Sequence, residues 1–149
     1  MLEKHLALFR SLRRNKVEYL IIGGIACGIY GSPRATKDLD IMIRPSLENA
    51  KRLLAALKEA KFGTAYLTSP EKILANEINI FEDIIRLDVL IKVKGLIFDR
   101  AWQKRQVRSL RGIKINIISL DGLIKSKQAA ARIIDKEDIK ILKKIKKQK

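Results

Sequence analysis

Three carboxylates stand where an apolar strand would normally exclude them. Asp38 and Asp40 lie in residues 37–43 (KDLDIMI), and Asp88 lies in residues 84–93 (IIRLDVLIKV). Burying an unpaired carboxylate costs several kcal/mol in practice, so acids at such positions call for a partner. In an extended strand residues i and i+2 point to the same side. Asp38 and Asp40 therefore face one way, and Leu39, Ile41 and Ile43 face the core. The second segment puts Arg86, Asp88 and Leu90 on one face and Ile85, Leu87, Val89 and Ile91 on the other. If the two strands are neighbours, the three acids can converge. Acids brought together repel one another unless a cation lies between them. Mg²⁺ is held through one or two carboxylates plus substrate phosphates, and a pair of metal ions can activate an attacking oxygen and stabilise a leaving one. On that reading Asp38, Asp40 and Asp88 are catalytic metal ligands. The competing reading pairs the same acids with Lys37, Arg34 or Arg86 at strand ends.

The elements that must position these acids begin at residue 17. Residues 17–22 (VEYLII) are β-branched and apolar, which predicts a buried strand. Gly23 and Gly24 end it, and backbone N–H groups at such a glycine turn can approach phosphate oxygens. A short helix is expected over 25–30, broken by Gly31-Ser32-Pro33. Together with the acids, residues 19–43 read as a site for a metal–nucleotide complex. Ahead of them, residues 1–16 have Leu2, Leu6, Phe9 and Leu12 on one side of an amphipathic helix, and His5 is expected on its exposed part.

Beyond the first acids, Pro45 stops the strand and Ser46 caps a helix carrying Leu47, Ala50, Leu53, Leu54 and Leu57, extending to about residue 62. Residues 63–72 read as a polar loop. Residues 73–80 (ILANEINI) fit either a helix or a strand. A short helix over 96–103 carries Phe98 and Trp102, more often core anchors than a stacking platform. Residues 106–119 read as a hairpin turning at Arg111-Gly112. A helix over 120–133, capped by Ser119 or Asp121, is followed by another over 135–145 and a Lys-rich tail from about 143 that should fray. The mixture predicts a single α/β (α+β) domain with a small mixed sheet flanked by helices.

Composition narrows the class. The 149 residues are 47% hydrophobic and 32% charged, as in a globular chain rather than a disordered one. The formal net charge of +16 favours polyanionic partners, and it also fits a Lys-rich thermophile surface. Residues 92–114 are especially basic, with Lys92, Lys94, Arg100, Lys104, Arg105, Arg108, Arg111 and Lys114 against Asp99. On a hairpin these would make a stripe able to follow a nucleic-acid backbone. Cys27 is the sole cysteine, which excludes an intrachain disulfide and fits a reducing, cytoplasmic setting. No run approaches the roughly 20 apolar residues of a membrane span, and the N-terminus lacks the apolar core of a signal peptide.

An apolar strand, Gly-Gly, about a dozen residues, Asp-x-Asp and a later strand with a single Asp resembles the DNA polymerase β-like nucleotidyltransferase superfamily. The segment GGIACGIYGSPRATKDLDIMI makes the likeness more specific. With IIRLDVLIKVKGLIFDRAW and ISLDGLIKSKQAAARIIDKEDIKIL, it is similar to small nucleotidyltransferase-like proteins related to toxins of the AbiEii type. The likeness covers residues 17–142. It implies that Gly23 and Gly24 bind the triphosphate, that Asp38, Asp40 and Asp88 hold Mg²⁺, and that Arg34 and Lys127 contact phosphates. Arg132, Asp135 and Asp138 match its closing block, or form a structural ion-pair network. Many active superfamily members have Gly-Ser where this chain has Gly23-Gly24.

The function expected is Mg²⁺-dependent transfer of a nucleoside monophosphate from an NTP to a hydroxyl on RNA or tRNA, a protein or a small molecule. The alternative is a non-catalytic module of the same fold, an antitoxin-like or regulatory partner that binds protein or nucleic acid.

Overall fold

The structure, a computed structural model, describes residues 5–33 and 38–148. Its centre is a six-stranded sheet in the order β3-β4-β2-β1-β6-β5. The strands are β1 (Tyr19–Ile22), β2 (Leu39–Ile43), β3 (Ile78–Glu82), β4 (Arg86–Leu90), β5 (Gln106–Leu110) and β6 (Ile113–Ile117). β1 runs antiparallel to β2, whereas β2–β4 and β1–β6 are parallel, so the sheet is mixed as expected. The helices are α1 (Leu6–Arg14), α2 (Gly23–Tyr30), α3 (Leu47–Glu59), α4 (Pro70–Ala75), α5 (Phe98–Gln103), α6 (Leu120–Ala130) and α7 (Ile133–Lys147).

The periodicity of the sequence explains most of the core. Leu39, Ile41 and Ile43 of β2 and Leu87 and Val89 of β4 are buried, in the alternation that leaves Asp40 and Asp88 on the opposite face. Leu20 and Met42 share that opposite face and are buried too, so it is a covered face rather than a solvated one. α1 and α3 pack together, Phe9 of α1 lies against Tyr19, and α2 lies on β1 and β2 and meets α6 and α7.

Local signals set the element ends. Ser46 accepts a hydrogen bond from the Asn49 N–H at 3.2 Å and caps α3, and Ser119 accepts from the Gly122 N–H at 3.0 Å and caps α6. Gly31 (φ 113°) terminates α2 in the left-handed conformation that glycine tolerates. Arg111 and Gly112 both have positive φ, as a two-residue hairpin turn requires.

Several expectations are corrected. Residues 63–72 are not a plain loop: a 3₁₀ helix spans Gly63–Leu67, and Ser69 accepts from the Lys72 N–H to cap α4. The ambiguous run 73–80 divides, ending α4 at Ala75 and starting β3 at Ile78. α6 stops at Ala130 rather than 133 because Ala131 turns left-handed (φ 54°). α7 starts two residues early and carries the Lys-rich run to Lys147 instead of fraying at 143. His5 is buried beside Phe9 rather than exposed, and burial lowers its pKa. Leu47, assigned to the buried stripe of α3, is exposed. Among the described residues no helix is long and apolar enough to cross a membrane.

Candidate active site

Sheet register brings two of the acids together. Asp40 of β2 pairs with Asp88 of β4, Ile22 of β1 lies on the other side of Asp40, and Ile80 of β3 lies beyond Asp88. Paired residues on adjacent strands project to the same face, so this row runs Ile22, Asp40, Asp88, Ile80. The convergence that strand neighbourhood would allow is therefore real for Asp40 and Asp88. Asp38 precedes β2 and is exposed. Its charge still reaches Asp40 and Arg86, but among the described residues no group of three acids is gathered closely enough to hold a metal ion.

The Asp40 carboxyl is pushed up to about 6, first by burial and then by the charges of Asp88 and Asp38, against weaker pulls from Arg86 and Lys127. A carboxyl raised in this way is a site of uncompensated negative charge. Asp88 is better compensated, because Arg86, two residues away on the same strand, donates to its Oδ1 at 3.0 Å. The ion-pair reading of the acids thus holds for Asp88, with Arg86 as partner. Arg34 and Lys37 lie outside the described residues.

The glycines occupy the turn expected of them. α2 begins directly at Gly23, so β1 passes into a helix with no intervening loop. Gly23 has φ 69°, and a Cβ there would collide with Asp40 Oδ2. Only glycine lets the first turn of α2 approach the carboxylate so closely. Gly24 is buried behind it.

These residues line a cavity of about 310 Å³ with Ile22, Gly23, Asp40 and Asp88 at its base. α6 adds Leu123, Ser126 and Lys127, and the start of α7 adds Arg132 and Asp135. Lys127 is 5% exposed and donates to Asp138 Oδ2 at 2.8 Å, with Asp135 Oδ1 at 3.5 Å. Burial pushes the Asp135 carboxyl up, but hydrogen bonds from the Arg132 side chain and backbone, with the charges of Arg132 and Lys127, outweigh it and hold it below the ordinary range. The closing block of the sequence therefore forms the ion-pair network that was one of its two readings, and it does so as a wall of the cavity.

Leu90, expected on the same face as Asp88, also lines the cavity, whereas Ser126, Leu123, Val93 and Ile78 do so without having been anticipated. Leu123 lies four positions before Lys127 and three before Ser126, a helical spacing that groups it with either of them. Ile78 cannot be grouped in this way, since its place depends on β3 pairing with β4.

Two residues that could take part in holding a divalent cation are Asp40 and Asp88. Asp40 and Asp88 lie side by side on one face, and Asp40 is raised by burial and then by neighbouring negative charge, which a cation completed by phosphate oxygens would relieve.

The comparisons agree with this architecture. A crystal structure of a candidate nucleotidyltransferase from Thermotoga maritima superposes with a TM-score of 0.59 at 18% identity, covering 99% of this chain and 93% of that one. An antigenic nucleotidyltransferase-like protein from Paracoccidioides brasiliensis superposes with a TM-score of 0.55 at 17% identity, covering 93% of this chain and 74% of that one. At these identities the likeness establishes the fold. No curated protein matches the chain. The family model described as "nucleotidyl transferase of unknown function (DUF2204)" matches residues 1–149, and the chain belongs to that family.

Proposed function

We propose that the protein is an Mg²⁺-dependent nucleotidyltransferase that passes a nucleoside monophosphate from an NTP to a hydroxyl, releasing pyrophosphate. The observation that carries this reading is the Asp40–Asp88 pair on adjacent parallel strands, closed over by the left-handed Gly23 at the start of α2. Asp40 and Asp88, with the exposed Asp38 just before β2, would hold the metal. Bound there, Mg²⁺ supplies Lewis-acid polarisation of the transferred phosphoryl group and neutralises phosphate charge. The N–H groups of Gly23 and Gly24 orient the triphosphate. Arg34 belongs with them as a phosphate contact. Lys127, tied to Asp138, acts from the wall of the cavity by its charge. An unionised Asp40 cannot serve as a metal ligand, so activity should rise with pH through about 6.

RNA, tRNA included, is the acceptor favoured by the net charge of +16. A cytoplasmic setting, with Cys27 reduced and NTPs at hand, goes with it, as does a relation to AbiEii-type toxins. The test is transfer of label from an α-labelled NTP to RNA, protein and small-molecule acceptors with and without Mg²⁺. Transfer should occur and be lost in Asp40→Asn and Asp88→Asn. No labelling across all three acceptor classes, together with no Mg²⁺–NTP binding, would sink the reading.

One observation favours a second reading. The Arg86–Asp88 ion pair satisfies one of the two central acids without a metal, as in a non-catalytic module of this fold acting as an antitoxin-like or regulatory partner. In that case the Asp88→Asn variant keeps its biological activity.

A further inference from the structure

The basic residues of 92–114 do not form a stripe along the hairpin. Arg108 turns inward, donating to the Ile29 carbonyl at 3.1 Å and lying over the Tyr30 ring. Lys92, Lys94 and Arg111 line neither of two nearby hollows, but Arg100, Lys104, Arg105 and Lys114 divide between them and meet cations from distant parts of the chain there. The first hollow, about 360 Å³, carries Arg100 from α5, Lys104 just after it and Lys125 from α6. The second, about 250 Å³, carries Arg105 and Lys114 together with Arg13 and Lys16 from the end of α1.

The acids bordering these hollows are engaged elsewhere. Asp121 pairs with Lys146 at 2.6 Å, and Glu18 and Asp99 are both held by Arg44. The cations therefore face the hollows with little local compensation. In the second hollow the Arg105 guanidinium lies 3.8 Å from the Trp102 ring centroid, and its Nε is buried without a hydrogen-bond partner. Phe98 stacks on Trp102 at 5.6 Å. With Phe98 and Arg105 against it, the indole is packed as support for the arginine and not laid open for a base.

The hollows also connect to the acid-lined cavity through shared elements. The segment between β4 and α5 gives Val93 to the cavity and Gly95, Leu96 and Ile97 to the first hollow. It is pressed onto α6, since a Cβ at Gly95 would lie 2.8 Å from Ala129 Cβ. α6 gives Ser126 and Lys127 to the cavity and Gly122 and Lys125 to the hollow. α5 then gives Arg100 and Ala101 to the first hollow and Trp102 to the second.

We infer that the two hollows are successive phosphate sites of one track, along which a single-stranded nucleic acid lies by its backbone, leading to the Asp40–Asp88 cavity. That the strand ends there as acceptor rests on the transferase reading; the track does not. Recognition is electrostatic and indifferent to sequence, because all the cations except the half-buried Arg105 are exposed and no stacking surface is presented in either hollow.

The experiment is fluorescence anisotropy with labelled single-stranded RNA and DNA of two unrelated sequences, about 16 nucleotides long, titrated over a range of salt. Both nucleic acids should bind, within a few-fold of each other. Each phosphate contact contributes about 0.7 to the slope of log K against log salt, or about fivefold in affinity near 0.1 M. Lys104→Gln with Lys114→Gln, one exposed cation from each hollow, should weaken binding about 25-fold and flatten the slope by about 1.4. Lys61→Gln with Lys72→Gln removes the same charge away from both hollows and should change affinity less than about threefold. Binding is measured without Mg²⁺ or NTP and needs no transfer, so the track can stand while the transferase reading fails. Absence of binding at low salt, equal losses in the two double variants, or a preference of more than about tenfold for one sequence would overturn the track.

Discussion

Replacing Asp40 with asparagine should make the protein more stable while removing its activity. The Asp40 carboxyl rises from 3.8 to about 6 on folding, chiefly through burial and then through Asp88 and Asp38. At 1.36 kcal/mol per pKa unit, a shift of about two units is worth about 3 kcal/mol. Asp40 borders an open cavity, and solvent screening reduces this to about 2 kcal/mol. The sign follows from proton binding. Between about pH 4 and 6 the folded state holds a proton at Asp40 that the unfolded state has released, so this group makes stability fall as pH rises. Above pH 6 the penalty is fully present, and below pH 4 it is absent. Asparagine has nearly the same shape and carries no charge. Asp40→Asn should therefore gain about 2 kcal/mol at pH 7.5, or roughly 4–8 °C in Tm, and nothing at pH 4. Urea unfolding of both proteins at the two pH values measures the difference, and the other titrating groups cancel in the comparison. Mg²⁺ should stabilise the wild type at pH 7.5 and narrow the gap. A variant no more stable than wild type at pH 7.5, or a gap unchanged at pH 4, would refute the account of Asp40 as an uncompensated buried charge.

Gly23→Ala forces a side chain into the left-handed region, at about 1–2 kcal/mol, and drives its Cβ into the Asp40 carboxylate. A loss of roughly 2–4 kcal/mol in urea unfolding is expected, with transfer activity lost; an alanine variant with wild-type stability would contradict the close packing described. Lys127→Met takes away the cation between Asp135 and Asp138 and should cost about 3–5 kcal/mol, part of it recovered when Asp138→Asn is added. A single variant within about 1 kcal/mol of wild type would show that Lys127 does not compensate those buried acids.

The arrangement ties stability to function at one point. The glycine that admits the start of α2 to the edge of β2 is the one against which the raised carboxylate lies. On the proposed reading, a cation bound there would relieve the burial and repulsion that raise the Asp40 carboxyl and weaken the protein without it. Lys127 and Arg132 illustrate the opposite solution. Their acids, Asp135 and Asp138, are compensated from within the chain and need no ligand.

Period-two alternation in β2 and β4 determined the faces of both strands in advance. One face must be buried, and a one-residue slip would turn every side chain over. Ser46, Ser119, Gly31 and Arg111-Gly112 were equally legible, because caps and turns are set by neighbouring atoms. The glycine turn and the two strand acids could be read as parts of a site for the same reason. The parallel pairing of β2 with β4 that sets Asp40 beside Asp88 was decided only by the tertiary structure, since the two strands are separated by α3, α4 and β3. So were the burial of Lys127 between two acids and the grouping of Arg13 and Lys16 with Arg105 and Lys114, whereas the Arg86–Asp88 pair, two residues apart on one strand face, was legible beforehand. Coulomb interactions depend on distance in space, and a linear sequence gives that distance only across a turn of helix or along a strand.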